Sequence, residues 1–288
     1  MTGILALASA CSIPDAPSAA NNDPGTRTVT DDLGRTVQLT EKIDRAVSLA
    51  PSLTEMIFAV GAGDRLVGVT SYCNYPEQAK AIQKVGDTMT PNIESIIALK
   101  PQVVFVSTAS QLEAFTNTLD EQGIAVFVTE SKSLEDVYKN LEQLGAMFGT
   151  RDRANGIVGN LKARMAGLDE GLKAAPKIRT FVQISADPLF TIGKDSFLTD
   201  AIEHAGAVSV TKDVPTAYPK LSKETAAAMD PHVIILSDSE DNRAPNTAFK
   251  NSSAVRNGFV YKIDADKISR PGPRLVDALE QIAGLLNK

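Results

Sequence analysis

The sequence predicts an α/β fold: two Rossmann-like lobes with parallel sheets, joined by a long backbone helix. Three observations carry that prediction. First, a unit of short helix, proline and apolar run occurs twice. E-S-I-I-A-L-K-P at 94–101 leads into Q-V-V-F-V-S, and E-T-A-A-A-M-D-P at 224–231 leads into H-V-I-I-L-S. Second, Thr54-Glu55 and Thr199-Asp200 are each followed by a glycine seven residues after the threonine, at Gly61 and Gly206. Third, apolar β-branched runs alternate with helical patterns through both halves of the 288 residues, a length that suits two lobes better than one small domain.

Residues 1–26 form a segment of their own. M-T-G-I-L-A-L-A-S-A-C is short, apolar and rich in small residues, and ends at Cys11. The polar, proline-rich stretch after it cannot bury a core and reads as a flexible tether. Together they resemble a bacterial lipoprotein signal, in which Cys11 becomes the lipidated first residue and anchors the protein to a membrane.

The first lobe, 27–149, has strand candidates at 45–50, 66–70, 103–107 and 124–129. Continuous apolar runs of this length suit strands buried on both faces of a parallel sheet. Pro101 stops the helix before the third of them. Thr54-Glu55 reads as a helix start and Gly61 as its C-terminal stop, with the same reading at Thr199-Asp200 and Gly206. In 150–176, Ile157, Leu161, Met165, Leu168 and Leu172 recur at helical spacing and Pro176 closes the pattern. A helix of about 24 residues spans about 36 Å, a stiff connection that predicts small closure between the lobes. The second lobe, 177–288, has strand candidates at 179–184, 207–210, 233–237 and 259–263.

Composition excludes several functions. A net charge of −6 argues against nucleic-acid binding, which needs a basic face. Beyond the first residues no apolar run approaches the roughly 20 residues that span a bilayer. Two cysteines and two histidines, His204 and His232, lie far apart without ligand spacing, so no metal site is expected. Cys73 has no disulfide partner if Cys11 carries lipid, and reads as a small, weakly polar residue at a turn. The chain has no G-x-S-x-G, no H-E-x-x-H and no complete phosphate loop. T-I-G-K-D-S at 191–196 puts Asp195 where a hydroxyl should follow the lysine, so Gly193-Lys194 reads as a turn. Neither an enzyme nor a cofactor is expected.

The runs R-A-V-S-L-A-P-S-L-T-E-M-I-F-A-V-G-A, L-V-G-V-T-S-Y-C-N-Y-P-E-Q-A-K and K-V-G-D-T-M-T-P-N-I-E-S-I-I-A-L-K-P-Q-V-V resemble the substrate-binding proteins of bacterial metal-chelate importers. F-T-I-G-K-D-S, V-P-T-A-Y-P-K-L-S-K-E and S-R-P-G-P-R extend the likeness over about residues 43–286. The resemblance implies an extracytoplasmic, monomeric protein with a shallow cleft between its lobes. It would hand its cargo to a permease dimer with ATPase subunits. Within the family the motifs are most like those of the vitamin B12-binding members, which implies a corrinoid ligand; haem or an iron-siderophore is the alternative, with Tyr72 or Tyr75 as an axial haem ligand. A flat macrocycle wants aromatic faces and a few convergent polar groups. By resemblance these are Pro51, Ser52, Tyr72 and Thr88 in the first lobe, and Phe190, Tyr218, Asp266 and Arg270 in the second. Arg270 would reach a ligand amide, phosphate or propionate, while Arg274 would cap or pair structurally. Glu94 and Glu224, at equivalent places of the repeat, would dock onto the two-fold permease; the alternative is that both are merely good first-turn residues.

Overall fold

In the computed structural model, residues 25–108 and 113–287 are described; Cys11 and its tether lie outside them. The first lobe opens with an antiparallel hairpin, β1 (Thr26–Thr30) and β2 (Thr36–Thr40). Then follow β3 (Ala46–Ser48), α1 (Pro51–Ala59), β4 (Leu66–Val69), α2 (Ile93–Ala98) and β5 (Val103–Ser107). Helix α3 (Glu113–Glu121), β6 (Ala125–Thr129) and α4 (Leu134–Phe148) complete the lobe, and α5 (Arg151–Leu172) leaves it. The second lobe begins with β7 (Ile178–Ser185), β8 (Phe190–Thr191), α6 (Phe197–His204) and β9 (Ala207–Ser209). It continues through α7 (Lys223–Ala228), β10 (Val233–Asp238), α8 (Ser253–Arg256), β11 (Val260–Asp264), α9 (Ala265–Ile268) and α10 (Leu275–Leu286).

The duplication is architectural. The first sheet runs β4-β3-β5-β6 with every neighbour parallel. In the second, β9, β7, β10 and β11 pair in the same relative order, again parallel. The repeated helix units match in detail. The Asn92 side chain accepts a hydrogen bond from the Ser95 N–H, and the Ser222 hydroxyl accepts from the Thr225 N–H, so both helices are capped three residues ahead of the acceptor's partner. Lys100 and Asp230, each just before the proline, adopt φ of 47° and 38°. Gly61 and Gly206 both take φ of 84°, the left-handed turn that ends α1 and α6.

Three local expectations need correction. The hairpin β1–β2 and the short antiparallel strand β8 escaped the sequence reading, which looked for apolar runs, because neither is one. Helix α1 starts at Pro51, three residues earlier than read, so Thr54 and Glu55 sit inside it and are buried; neither is a cap. Helix α5 covers 22 residues and releases the chain at Lys173, ahead of Pro176. Its buried side is Ala154, Val158, Leu161 and Met165, with Ile157, Leu168 and Leu172 packed at the margin.

One apolar core crosses the lobe boundary. Leu53 and Met56 of α1, Leu141 and Leu144 of α4, and Leu161 and Met165 of α5 share a cluster with Ile192, Leu198, Leu279 and Ile282 of the second lobe. A separate outer cluster lies in each lobe, around Val104 and Ile96 in the first and Phe181 and Phe249 in the second. Helices α4 and α5 approach so closely that a Cβ on Gly145 would lie 2.3 Å from the Cβ of Ala154. No helix among the described residues is long and apolar enough to cross a membrane.

Candidate functional site

In parallel α/β sheets the carboxyl ends of the strands are where loops leave room for a ligand. Here both sheets turn those ends toward one cleft of about 640 Å³. From the first lobe come Ala50 to Ser52 at the start of α1, Thr88, Ser107 and Thr108 after β5, and Thr129 to Lys132 after β6. From the second come Asp195 to Phe197 leading into α6, Ala217 and Tyr218, and Ser269 to Pro271 after α9. The lining is rich in hydroxyls, carried by Ser52, Thr88, Ser107, Thr108, Thr129, Ser131, Ser196 and Ser269. Lys132 pairs with Glu130 at 2.7 Å.

Of the eight residues expected to bind ligand, Pro51, Ser52, Thr88, Tyr218 and Arg270 line this cleft. Tyr218 leaves 43% of its surface open. Burial of its hydroxyl end pushes the phenol above its usual range, against a hydrogen bond from Ser196 that lowers it. Tyr72 lies outside the lining with 60% of its surface exposed. Phe190, in β8, is half-buried and forms a backbone bridge with Lys220. Asp266 is held in a cluster of side chains between the lobes.

That cluster centres on Glu55, whose side chain is 1% exposed. Its Oε1 accepts from Arg270 Nη1 at 2.8 Å and Arg274 Nη2 at 2.6 Å, and its Oε2 accepts from Arg274 Nε at 2.8 Å. Arg270 also donates to Asn74 Oδ1 at 2.8 Å, Asp266 Oδ1 at 2.5 Å and the Tyr72 carbonyl at 3.3 Å. Asn74 Nδ2 closes the ring onto Asp266 Oδ2 at 2.7 Å. Burial lowers the Arg274 guanidinium, but the hydrogen bonds and charge of Glu55 outweigh it and hold the group above its ordinary range. Arg274 also lies 4.0 Å from the centre of the Tyr75 ring. Arg274 thus pairs structurally, as its sequence context suggested. Arg270 differs from the expectation that it reaches out to a ligand: its four Nη hydrogens all point at protein acceptors.

Sequence reasoning missed Glu55, Asn74 and the Thr108 and Thr129 hydroxyls. A hydroxyl closing each of two buried apolar runs, V-V-F-V-S-T and A-V-F-V-T, was the available signal. Cys73 is buried, with its sulfur 3.1 Å from Thr54 Oγ1 and 3.2 Å from Thr70 Oγ1. His204 Nδ1 lies 2.7 Å from Asp169 at the end of α6, and His232 is exposed. No group of potential ligands among the described residues is arranged to hold a metal ion.

Glu94 and Glu224 each occupy the second position of their helix, α2 and α7, and both are exposed. The Glu224 backbone N–H and the Ser222 hydroxyl hold the Glu224 carboxyl below its usual range, so it is ionised at neutral pH.

The family model for periplasmic binding proteins matches residues 47–267. YvrC of Bacillus subtilis, described as an uncharacterized ABC transporter substrate-binding lipoprotein, is 31% identical over 265 residues, covering 89% of this chain and 84% of that one. The vitamin B12-binding protein of Vibrio cholerae is 29% identical over 245 residues, covering 84% of this chain and 89% of its own. The crystal structure of the Vibrio cholerae vitamin B12 binding protein BtuF matches with a TM-score of 0.75 over 85% of this chain and 97% of that chain. A periplasmic heme binding protein from Pseudomonas aeruginosa matches with a TM-score of 0.76 at 24% identity, over 84% and 92%, a likeness of fold alone. Two parallel lobes on a helical backbone, an open cleft between them and a family match spanning both place this chain among the periplasmic binding proteins, the non-enzymatic solute-binding components of ABC transporters.

Proposed function

We propose that the protein works outside the cytoplasm, captures a corrinoid in the inter-lobe cleft and delivers it to a permease dimer with its ATPase subunits. Vitamin B12 is the first candidate. The observation that carries this reading is the cleft lining: hydroxyls from both lobes converge around an open tyrosine face. A corrinoid presents a flat ring edged with amides, whose N–H and C=O groups pair with hydroxyls while the ring lies on an aromatic face. The 29% identity to a protein named for vitamin B12 supports the same choice. Lipid on Cys11 would tether the protein to the membrane, in keeping with the lipoprotein name of YvrC. Glu94 and Glu224 would meet matching basic sockets on the two-fold permease.

Haem or an iron-siderophore is the second reading. Tyr218 is the tyrosine of the cleft lining, and its raised phenol disfavours the phenolate that haem ligation uses. Calorimetric titration of the purified protein with cyanocobalamin, alongside haemin and a ferric siderophore, separates the readings. Saturable one-to-one corrinoid binding is expected. The substitution Tyr218→Ala should weaken it about tenfold, the loss of one aromatic contact. Tight haemin or siderophore binding without corrinoid binding would transfer the assignment to that ligand.

A further inference from the structure

The charges around the cleft are balanced before any ligand arrives. Arg270 is the cation at its floor, and both of its Nη atoms are fully engaged: Nη1 by Glu55 and Asn74, Nη2 by Asp266 and the Tyr72 carbonyl. Its charge faces two carboxylates, Glu55 and Asp266, one of them shared with Arg274. The other lining cation, Lys132, is paired with Glu130. Asp195 is a further lining carboxylate. An adjoining surface cavity brings Lys194 and Lys212, but against Asp200 and Glu203 as well as Asp195.

We infer that the cleft selects chelates with uncharged, amide-bearing edges and rejects those with carboxylate edges, because Glu55 and Asp266 neutralise the arginine that would otherwise recognise an anion. An anionic arm entering the cleft meets no lining cation without a carboxylate already beside it. To gain Arg270 it must break hydrogen bonds of 2.5–2.8 Å to groups already positioned and leave a carboxylate unpaired, which costs more than it returns. A neutral amide needs no counter-charge and can use the hydroxyls. This rests on the corrinoid reading of the same cleft and narrows it to amidated corrinoids.

The test compares two corrinoids lacking the nucleotide arm, dicyanocobinamide with amide edges and dicyanocobyrinic acid with free carboxylates, by calorimetry on the full chain. The wild type should bind the amide form at least about tenfold more tightly, the least a misplaced like charge or unpaired ion is worth. Asp266→Asn removes one of the neutralising carboxylates at a partly exposed position. It should narrow the gap by tightening the cobyrinic acid, and that gain should fade as salt is added. A purely structural role for Asp266 would weaken both ligands alike and leave the ratio unchanged, which would overturn the inference. Equal affinity of the wild type for both corrinoids would also overturn it while leaving the corrinoid reading intact. Failure of the amide form to bind at all would remove the corrinoid reading and this inference with it; haemin binding through its propionates would then contradict both directly.

Discussion

At the scale of single residues, Glu55 decides most. A buried carboxylate is tolerable only when its charge and lone pairs are met, and here two arginines from across the chain meet both oxygens. Removing it leaves Arg274, 15% exposed, without a carboxylate partner and Arg270, 12% exposed, with Asp266 as its remaining one. Glu55→Ala should therefore cost about 3–5 kcal/mol in denaturant unfolding, the usual penalty for breaking one side of a buried pair. Glu55→Gln, which keeps the shape and one acceptor, should cost less. An exposed salt bridge such as Lys80–Glu77 offers the control: its removal should change stability by no more than about 1 kcal/mol. A loss at Glu55 no larger than the control would mean the cluster contributes nothing to the fold. Nothing in the local sequence marked Glu55 out, because its partners lie 215 and 219 residues away. T-E at a helix start is ordinary, and only the placement of α1 shows that the pair points inward.

Elements were more legible than residues. All eight parallel strands overlap runs that the sequence displays, most of them apolar because a strand buried on both faces must be; β7, β10 and β11 extend one or two residues past those runs, and the sheet-edge strand β11, V-Y-K-I-D, is only partly buried. The long helix showed through its periodicity. The hairpin β1–β2 did not: T-R-T-V-T and T-V-Q-L-T are short and half-exposed, so they lack a run to detect. The cleft was legible only in part, because five of its expected residues line it while the hydroxyl ends of β5 and β6 are identified by where the sheets face. The repeated α2 and α7 units support a prediction of their own. Lys100 and Asp230 hold left-handed backbone at φ of 47° and 38°, which costs a non-glycine residue about 1–2 kcal/mol. Lys100→Gly relieves this and should stabilise the protein by about 0.5–1 kcal/mol, offset in part by the entropy glycine adds to the unfolded chain. Asp230→Gly should instead be destabilising, since Asp230 accepts from the Ser253 N–H at 2.6 Å and from its hydroxyl at 3.0 Å. Opposite signs from two equivalent positions, measured by urea unfolding, would separate backbone strain from capping; matching signs would refute the distinction.

On the scale of the whole molecule, the lobes are tied twice. The core shared by α1, α4, α5 and α10 lies at their base, and the Glu55–Arg270–Arg274 cluster binds them beside the cleft. A molecule held in this way is expected to close little on binding, which would leave contact with the permease as the trigger for release. On the proposed docking, that contact would be read from both lobes. Glu94 and Glu224 share a helix position, a capping pattern and a following proline, so the topological duplication places them at equivalent points for a two-fold partner. Neither carboxylate lines the cleft. The double substitution Glu94→Ala and Glu224→Ala should therefore leave corrinoid affinity and folding unchanged while uptake through the reconstituted transporter falls sharply. Each single substitution should show an intermediate loss, because one anchored lobe still orients the other. Exposed first-turn glutamates acting only on their own helices would give a different pattern, with a small loss of stability, about 0.3–1 kcal/mol each, and undiminished uptake. Measuring uptake and unfolding on the same three variants distinguishes docking from capping, and intact transport by the double variant would rule out the docking role.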